Sequence, residues 1–148
     1  MTILTFVEIL DGITATLAAD PAIKQALTME DITESVQVVP ACLVYIAEFN
    51  TDVQTQNSQT TFRGGVRQNQ VVVNVDALAR RRAHIGEDMK DVTELADVIV
   101  AILEAQKTHP YFGLDGLKTF KWRATYATFH HGADDFSALR FILTFMIA

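Results

Sequence analysis

The last third of the chain carries the pattern that most restricts its fold. Residues 120–126 alternate between apolar and polar, and in residues 139–147 every second position is apolar. Alternation with a period of two places apolar side chains on one face of a strand. The intervening stretch HHGADD, residues 130–135, is typical of a turn. The sequence therefore predicts an antiparallel hairpin whose apolar face must be covered by a second layer.

Two segments have the apolar spacing of helices that could form that layer. In residues 3–17, apolar side chains recur every three or four positions, which predicts an N-terminal helix ending near Asp20. A second stripe follows Asp91, which forms a capping-box pattern with Glu94, and ends near Gln106.

Two β-branched, apolar segments predict central strands. The first begins after Pro40, because a proline inside a strand would remove a ladder donor. The second covers residues 71–77, and residues 80–89 are expected to form a charged loop. The first strand is apolar on both faces, which favours a place inside the sheet. Its predicted faces carry Leu43, Tyr45, Ala47 and Phe49 on one side and Cys42, Val44 and Ile46 on the other.

Two connections have their own signals. Asp20 followed by Pro21 predicts an N-cap and a short helix through about Leu27. Residues 50–70 are rich in Thr, Gln and Asn, so they are expected to form a polar hairpin arm rather than a core. Such an arm is either a plain connection or a segment that reaches a partner.

The order of elements predicts the fold class. We expect one α+β domain spanning residues 1–148, with an antiparallel or mixed sheet of about four strands and helices packed on one face. A chain of 148 residues is long enough to bury roughly two-thirds of its unfolded surface. The single cysteine, Cys42, excludes a disulfide within the chain and reads as a buried small hydrophobe. No apolar run approaches the ~20 residues needed to cross a bilayer, so no membrane is expected as a partner.

Recognisable catalytic motifs are missing from the sequence. It contains no phosphate-binding glycine loop, nucleophile elbow, Cys-x-x-Cys pair or His-Glu-x-x-His motif. We therefore expect no enzyme activity, no cofactor and no metal. The alternative is a small metal-binding enzyme, but adjacent residues on a strand point to opposite faces, which disfavours a shared ion. The candidate ligands are His130, His131, Asp134 and Asp135, whereas His84 and His109 lie in loops without a paired base or nucleophile.

Charge is distributed very unevenly along the chain. The formal net charge is -6, which argues against a general polyanion-binding protein. Residues 1–60 contain Lys24 as their only base, whereas residues 61–85 contain five arginines and Asp76 as their only acid. Arginine suits forked pairing with carboxylates. We therefore expect an interface with another subunit or a partner, formed by Arg63, Arg67, Arg80, Arg81, Arg82, Glu87 and Asp88.

Two alternatives for the arginines stay open. They could form a solvated charged loop, or they could bind nucleic acid, although the acidic remainder of the chain disfavours that use. A basic edge that docks on an acidic surface of another copy makes a head-to-tail interface, and such interfaces can close into rings.

Two segments of the chain carry a family resemblance: VVPACLVYIAEFN and VVVNVDALARRRAHIGEDMKDVTELADVIVAILEA. The arm separates them, and the hairpin follows the second. Together they resemble the tail terminator, or tail-completion, proteins of tailed phages, closest to the Mu-like contractile-tail group. The likeness lies in the Pro-Ala start of an apolar strand, in a second strand leading through an Arg-bearing loop and a glycine into a helix, and in the final hairpin. It covers roughly residues 36–148.

The resemblance implies a structural role in the virion. Tail terminators form six-membered rings on the head-proximal end of the tail tube, stop its polymerisation and face the neck, while DNA passes through the lumen. The implied partners are further copies of the chain, the tube protein, the sheath and a head-tail stopper or other neck protein. The implied location is the tail or neck of a particle assembled in the host cytoplasm. A head-tail adaptor or a tail tube protein would share much of this profile.

Overall fold

The structure, a computed structural model, describes residues 4–28, 39–53, 67–81, 85–108, 110–131 and 134–147. It confirms the α+β class: two helices and a five-stranded mixed sheet with the order β1-β2-β3-β5-β4. Sequence patterns predicted about four strands, and the additional one is β1. The elements are α1 (Phe6–Ala18), β1 (Gln25–Thr28), β2 (Ala41–Val53), β3 (Arg67–Arg81), α2 (Ile85–Glu104), β4 (Leu117–His131) and β5 (Asp134–Ile147).

Both helices pack on one face of the sheet, as expected. The helix α1 lies over β1 and β2, and α2 lies over β3 and β5. Thr5 starts α1 with a capping box, because its hydroxyl accepts from the Glu8 N–H at 3.1 Å while the Thr5 N–H donates to the Glu8 carboxylate at 3.3 Å. Neither described helix has the length and apolar character required to span a membrane. The core under the helices includes Ile9, Ile13, Leu17, Val92, Leu95, Ile99 and Leu103.

The short helix predicted after Asp20 is wrong. The Asp20 carboxylate accepts a hydrogen bond from the Ala22 N–H at 2.9 Å, which closes a turn, and residues 25–28 form the parallel strand β1 beside β2. An Asp-Pro sequence serves an Asx turn as well as a helix N-cap. Here the pairing of β1 with β2 favours the turn over the helix. The Lys24 N–H donates to the Pro40 carbonyl at 3.0 Å, just before the two strands begin.

β2 lies inside the sheet as predicted, but a β-bulge changes its faces. The register with β3 shifts between Ile46 and Glu48, so alternation is interrupted there. Phe49 consequently lies on the helix side, where its ring meets the Phe6 ring of α1 at a centroid distance of 4.8 Å. The prediction that Phe49 shares a face with Tyr45 is therefore wrong.

The charged loop predicted for residues 80–89 is also wrong. β3 is longer than predicted and continues to Arg81, while α2 already begins at Ile85. Asp88 occupies the core-facing position four residues before Val92 and is buried. A carboxylate at that position interrupts the apolar stripe in the sequence. The sequence pattern therefore predicted a loop where the first turns of α2 lie.

The C-terminal hairpin is confirmed. β4 and β5 pair antiparallel, and Phe141, Leu143, Phe145 and Ile147 are buried on the helix side. The pairing extends to His131 opposite Asp134, so the strands leave only residues 132–133 between them rather than the six residues predicted for the turn.

The opposite face of the sheet, here called the helix-free face, has a small core of its own. It was not predicted, because alternation in residues 139–147 pointed only to the helix side. Phe136 and Ala138 precede that segment and turn to the other face. The buried members of this cluster are Ala41, Leu43, Leu78, Phe136 and Ala138.

Truncating Phe141 should destabilise the protein strongly. Its side chain is fully buried, with the Trp122 ring at a centroid distance of 6.0 Å. Phe141→Ala should lower the free energy of unfolding by about 3–5 kcal/mol, because it leaves a cavity. Urea denaturation measures the change, with Tyr126→Ala as control because Tyr126 is 48% exposed. Equal losses in both variants would contradict the assigned core.

Candidate subunit interface

Arg80 links the end of β3 to the start of α2. A second bulge, between Leu78 and Arg80, turns this arginine toward the helix. Its Nε atom lies 3.0 Å from Asp88 Oδ1, and its Nη1 atom donates to Asp91 Oδ2 at 2.9 Å and lies 3.6 Å from Glu87 Oε2. Three carboxylates of the first turns of α2 thus surround one guanidinium.

The burial of Asp88 indicates that its contact with Arg80 stabilises the fold. Its side chain is 3% exposed, and its Oδ2 atom accepts from the Ser137 hydroxyl at 3.3 Å. A buried carboxylate is costly unless a positive charge and hydrogen bonds compensate it. Arg80 supplies that charge from within the same chain, whereas the sequence suggested a carboxylate on a neighbouring subunit. Glu87 remains 68% exposed and available to a neighbour.

Of the other arginines predicted to form the interface, two lie in β3 and two lie outside the described residues. Arg67 and Arg81 are the first and last residues of β3, so they lie at opposite ends of the central strand. Only the backbone of these two residues is described. Arg63 and Arg82 lie outside the described residues, as do residues 54–66 of the arm. A partner contact through these arginines stays a prediction.

A polar network on the helix-free face was missed by sequence reasoning. Asp76 sits at its centre: Arg140 donates to its Oδ1 from Nε at 2.8 Å and to its Oδ2 from Nη2 at 3.2 Å. The Tyr45 hydroxyl donates to Asp76 Oδ2 at 2.8 Å and accepts from Arg140 Nη2 at 3.1 Å. The Asn74 amide donates to the same hydroxyl at 3.4 Å. The network joins β2, β3 and β5.

Burial and pairing control the electrostatics of this network. Asp76 is only 6% exposed, and the fork of hydrogen bonds from Arg140 offsets the cost of burying a carboxylate there. The hydrogen bond to Asp76 raises the pKa of the Arg140 guanidinium, while burial raises the pKa of the Tyr45 hydroxyl. The sequence feature that could have indicated this network is Asp76 itself, because it is a single charged residue in a strand rich in valine. Its partner, 64 residues away, could not be read from the sequence.

Partly exposed apolar side chains lie near the network on the helix-free face and, separately, on the helix side at the base of the β2–β3 hairpin. Val72, Ile142 and Met146 are half-buried on the same face. At the base of the β2–β3 hairpin, Phe6 and Phe49 form an edge-to-face pair that is 41% and 45% exposed. A mixture of neutralised charge and accessible apolar area is typical of the core of protein–protein interfaces.

The backbone of β4 and the burial of Cys42 bear on the alternative of a reactive site. β4 continues through His131, so the strand does not break where a site shared by His130 and His131 would require it. Among the described residues, no group of three or more His, Cys, Asp or Glu side chains could hold a metal. Burial raises the pKa of the Cys42 thiol to about 12, which keeps it protonated and unreactive.

A groove of about 460 Å³ lies beside the Arg80 cluster. It runs between α2 and the segment before β2, and it is lined largely by apolar side chains such as Val39, Leu95 and Val98. Asp91 and Glu94 are the titratable residues of its described lining, and Asp91 is already paired with Arg80.

Comparisons with known proteins add no name to this geometry. A scan of protein-family models finds no match to the chain, and a search of curated proteins finds none either. Evidence about function therefore comes from the surfaces described above and from the resemblance of the sequence pattern to tail terminators.

Removing Arg80 should damage the fold itself. Arg80→Ala leaves the buried Asp88 carboxylate without its arginine and should cost about 3 kcal/mol, near the low end for a broken buried ion pair, because the Arg80 side chain is 30% exposed.

Urea denaturation of Arg80→Ala measures this cost. The double variant Arg80→Ala, Asp88→Leu is the control, since it removes both charges and should recover much of the stability. Wild-type stability in the single variant would show that Arg80 is not the compensating charge.

Ionising Tyr45 should destabilise the protein in alkali. Because its pKa is raised in the folded state, the stabilisation from its neutral form is complete below the unfolded value of ~10 and is lost as pH rises through the folded pKa. Tyr45→Phe should therefore lose stability less steeply above pH ~10 than the wild type. Urea denaturation at stepped pH measures both slopes, and parallel curves would exclude this role.

Proposed function

We propose that this protein is a structural virion protein, the tail terminator of a contractile tail. In this proposal it forms a hexameric ring that caps the head-proximal end of the tail tube, stops tube polymerisation and joins the tail to the neck. The observation that carries the proposal is the helix-free face of the sheet, which combines internally neutralised charge with accessible apolar side chains.

The composition of that face favours contact with protein. Asp76 and Arg140 neutralise one another within the sheet, and Val72 and Ile142 lie close by with part of their area exposed. A neighbouring subunit can cover such a surface without leaving an unpaired buried charge, which is the main electrostatic cost of burying charged groups.

The β2–β3 hairpin provides a second contact element. Its pairing continues to Val53 opposite Arg67, beyond the pair Asn69–Ile147 where β3 and β5 separate. The pairing of β2 with β3 thus continues two residue pairs past β5, with the exposed Phe6–Phe49 pair nearby. An extended hairpin with an apolar base suits docking on a tube subunit or on the sheath.

The charge balance agrees with a ring around DNA. At a net charge of -6, the protein lacks the basic surplus that binds phosphate backbones. DNA would therefore pass through the lumen without adhering. In this role the partners are further copies of the chain, the tube protein and a head-tail stopper or other neck protein, and the location is the tail or neck of the virion, assembled in the host cytoplasm.

Other neck components and tube proteins are the alternatives that share these surfaces. A tube protein would polymerise by itself into stacked rings, and a head-tail adaptor would bind the portal side without ending tube growth. A terminator differs from both, because it binds one end of a finished tube and stops there.

A capping assay tests the proposal. Tube protein polymerised with the wild-type chain should give shorter tubes with one closed end, as seen by negative-stain electron microscopy. Val72→Asp places a charge on the helix-free face and should abolish capping, whereas Lys107→Asp, at an exposed position just after α2, should cap normally. Tubes of unchanged length with a wild-type protein that stays monomeric beside them would overturn the proposal.

A further inference from the structure

The five-stranded sheet is wider than the layer of described helices that packs on it. α1 lies over β1 and β2 and α2 lies over β3 and β5, which leaves β4 largely uncovered. Ala124 pairs with Phe141 and Tyr126 with Leu139, so both residues of β4 point to the helix side. Both are nevertheless exposed, Tyr126 at 48%. The helix side of β4 is therefore an open surface beside α2.

The side of α2 that faces β4 continues this surface. Val98 lines the groove toward β2, whereas Leu103 lines a hollow together with Trp122 of β4, on the other side of the helix. By helical spacing, Val100 and Met89 lie on the same side as Leu103. Met89 is 43% exposed and Val100 is half-buried. We call this surface the β4 shelf, which consists of Met89, Val100, Trp122, Ala124 and Tyr126.

A second exposed apolar surface lies on α1. Phe6 and Val7, in the first turn of the helix, are 41% and 57% exposed, and Phe6 contacts Phe49. With Met89 and Tyr126 of the shelf, these three are the large apolar side chains that the described part of the chain leaves exposed. Because α1 lies over β1 and β2, its surface and the β4 shelf are at opposite sides of the molecule.

The two surfaces have opposite charge. α1 contains Glu8 and Asp11 and no base. β4 contains Lys118, Lys121 and Arg123 and no acid. Asp11, Lys121 and Arg123 are all exposed, and none of them forms an ion pair within the described part of the chain. Two α1 surfaces would oppose acid to acid, whereas α1 against β4 pairs acid with base.

From these observations we propose that the outer face of α1, through Phe6, Val7 and Asp11, docks on the β4 shelf of a second copy. The incoming helix lies beside α2 and completes the helix layer over β4. It covers Tyr126, and Asp11 approaches the bases of β4. Apolar contacts at the centre and charges at the rim are typical of protein interfaces.

The contact is head-to-tail, because the two surfaces differ and lie on opposite sides of each copy. Every copy can then bind one neighbour through α1 and another through the shelf, and such a chain can close into a ring. This inference rests on the proposed ring and names the surfaces that join its subunits.

Mixing two variants tests the docking. Val7→Asp disables the α1 surface and Tyr126→Asp disables the shelf, so each variant alone should self-associate about tenfold more weakly. Mixed in equal amounts, the two should form a one-to-one dimer and nothing larger, because one intact surface of each kind remains. Sedimentation velocity measures the sizes. Both positions are exposed, and thermal melting verifies that the variants are folded.

Charge reversal gives an independent readout that leaves the apolar contacts in place. Asp11→Lys and Arg123→Glu should each weaken self-association by roughly threefold, and high salt should reduce this loss. The double variant should recover the wild-type value, since it exchanges the two charges. Glu94→Lys is the matched control, because Glu94 lines the groove on the other side of α2. It should associate like the wild type.

The outcomes separate this inference from the proposed function. Rings that persist in both Val7→Asp and Tyr126→Asp overturn the docking and leave the terminator role standing, and so do two monomeric variants that fail to dimerise when mixed. A one-to-one dimer from the mixture, together with wild-type rings that do not cap tubes, supports the docking and overturns the terminator role. A wild-type protein that stays monomeric at millimolar concentration and never caps tubes overturns both.

Discussion

The rest of the structure depends on the burial of β3 between β2 and β5. From residue 73 to residue 79 every side chain of this strand is buried, with both faces covered although only one carries helices. The helix-facing valines belong to the core beneath the two helices, while Asn74, Asp76 and Leu78 face the other side. Because β3 is central, the polar groups on it must find their partners inside the protein.

Two arginine–carboxylate pairs satisfy that requirement, one on each face. Arg80 compensates Asp88 and ties α2 to the end of β3, and Arg140 compensates Asp76 and ties β5 to the centre. These pairs change how the arginine-rich segment is interpreted. Arg80 serves the fold, whereas a partner contact stays a prediction for Arg67, Arg81 and the arginines outside the described residues. A charged residue in a buried strand or helix indicates that an oppositely charged residue pairs with it, but the sequence does not show whether that residue is in the same chain or in another protein.

The described surfaces offer several places where another chain could bind. The helix-free face, the β2–β3 hairpin and the outer edge of β4, which no strand of the described residues pairs, each leave polar or apolar groups that another chain could cover. Their arrangement is directional, with basic residues on β4 and acidic residues on α1. A directional surface favours assemblies that repeat head to tail, which is the kind of contact that a ring requires.

Local periodicity by itself determined the class of the fold, the C-terminal hairpin, the inner position of β2 and the apolar stripe of α2, because these depend on neighbouring residues. Tertiary structure decided the rest. β1 is a strand because β2 lies beside it, Phe49 faces α1 because a bulge interrupts the alternation, and α2 begins at Ile85 because Arg80 neutralises a carboxylate in its buried stripe. The Asp76–Arg140 network escaped prediction for the same reason: contacts between residues far apart in the chain leave no local pattern.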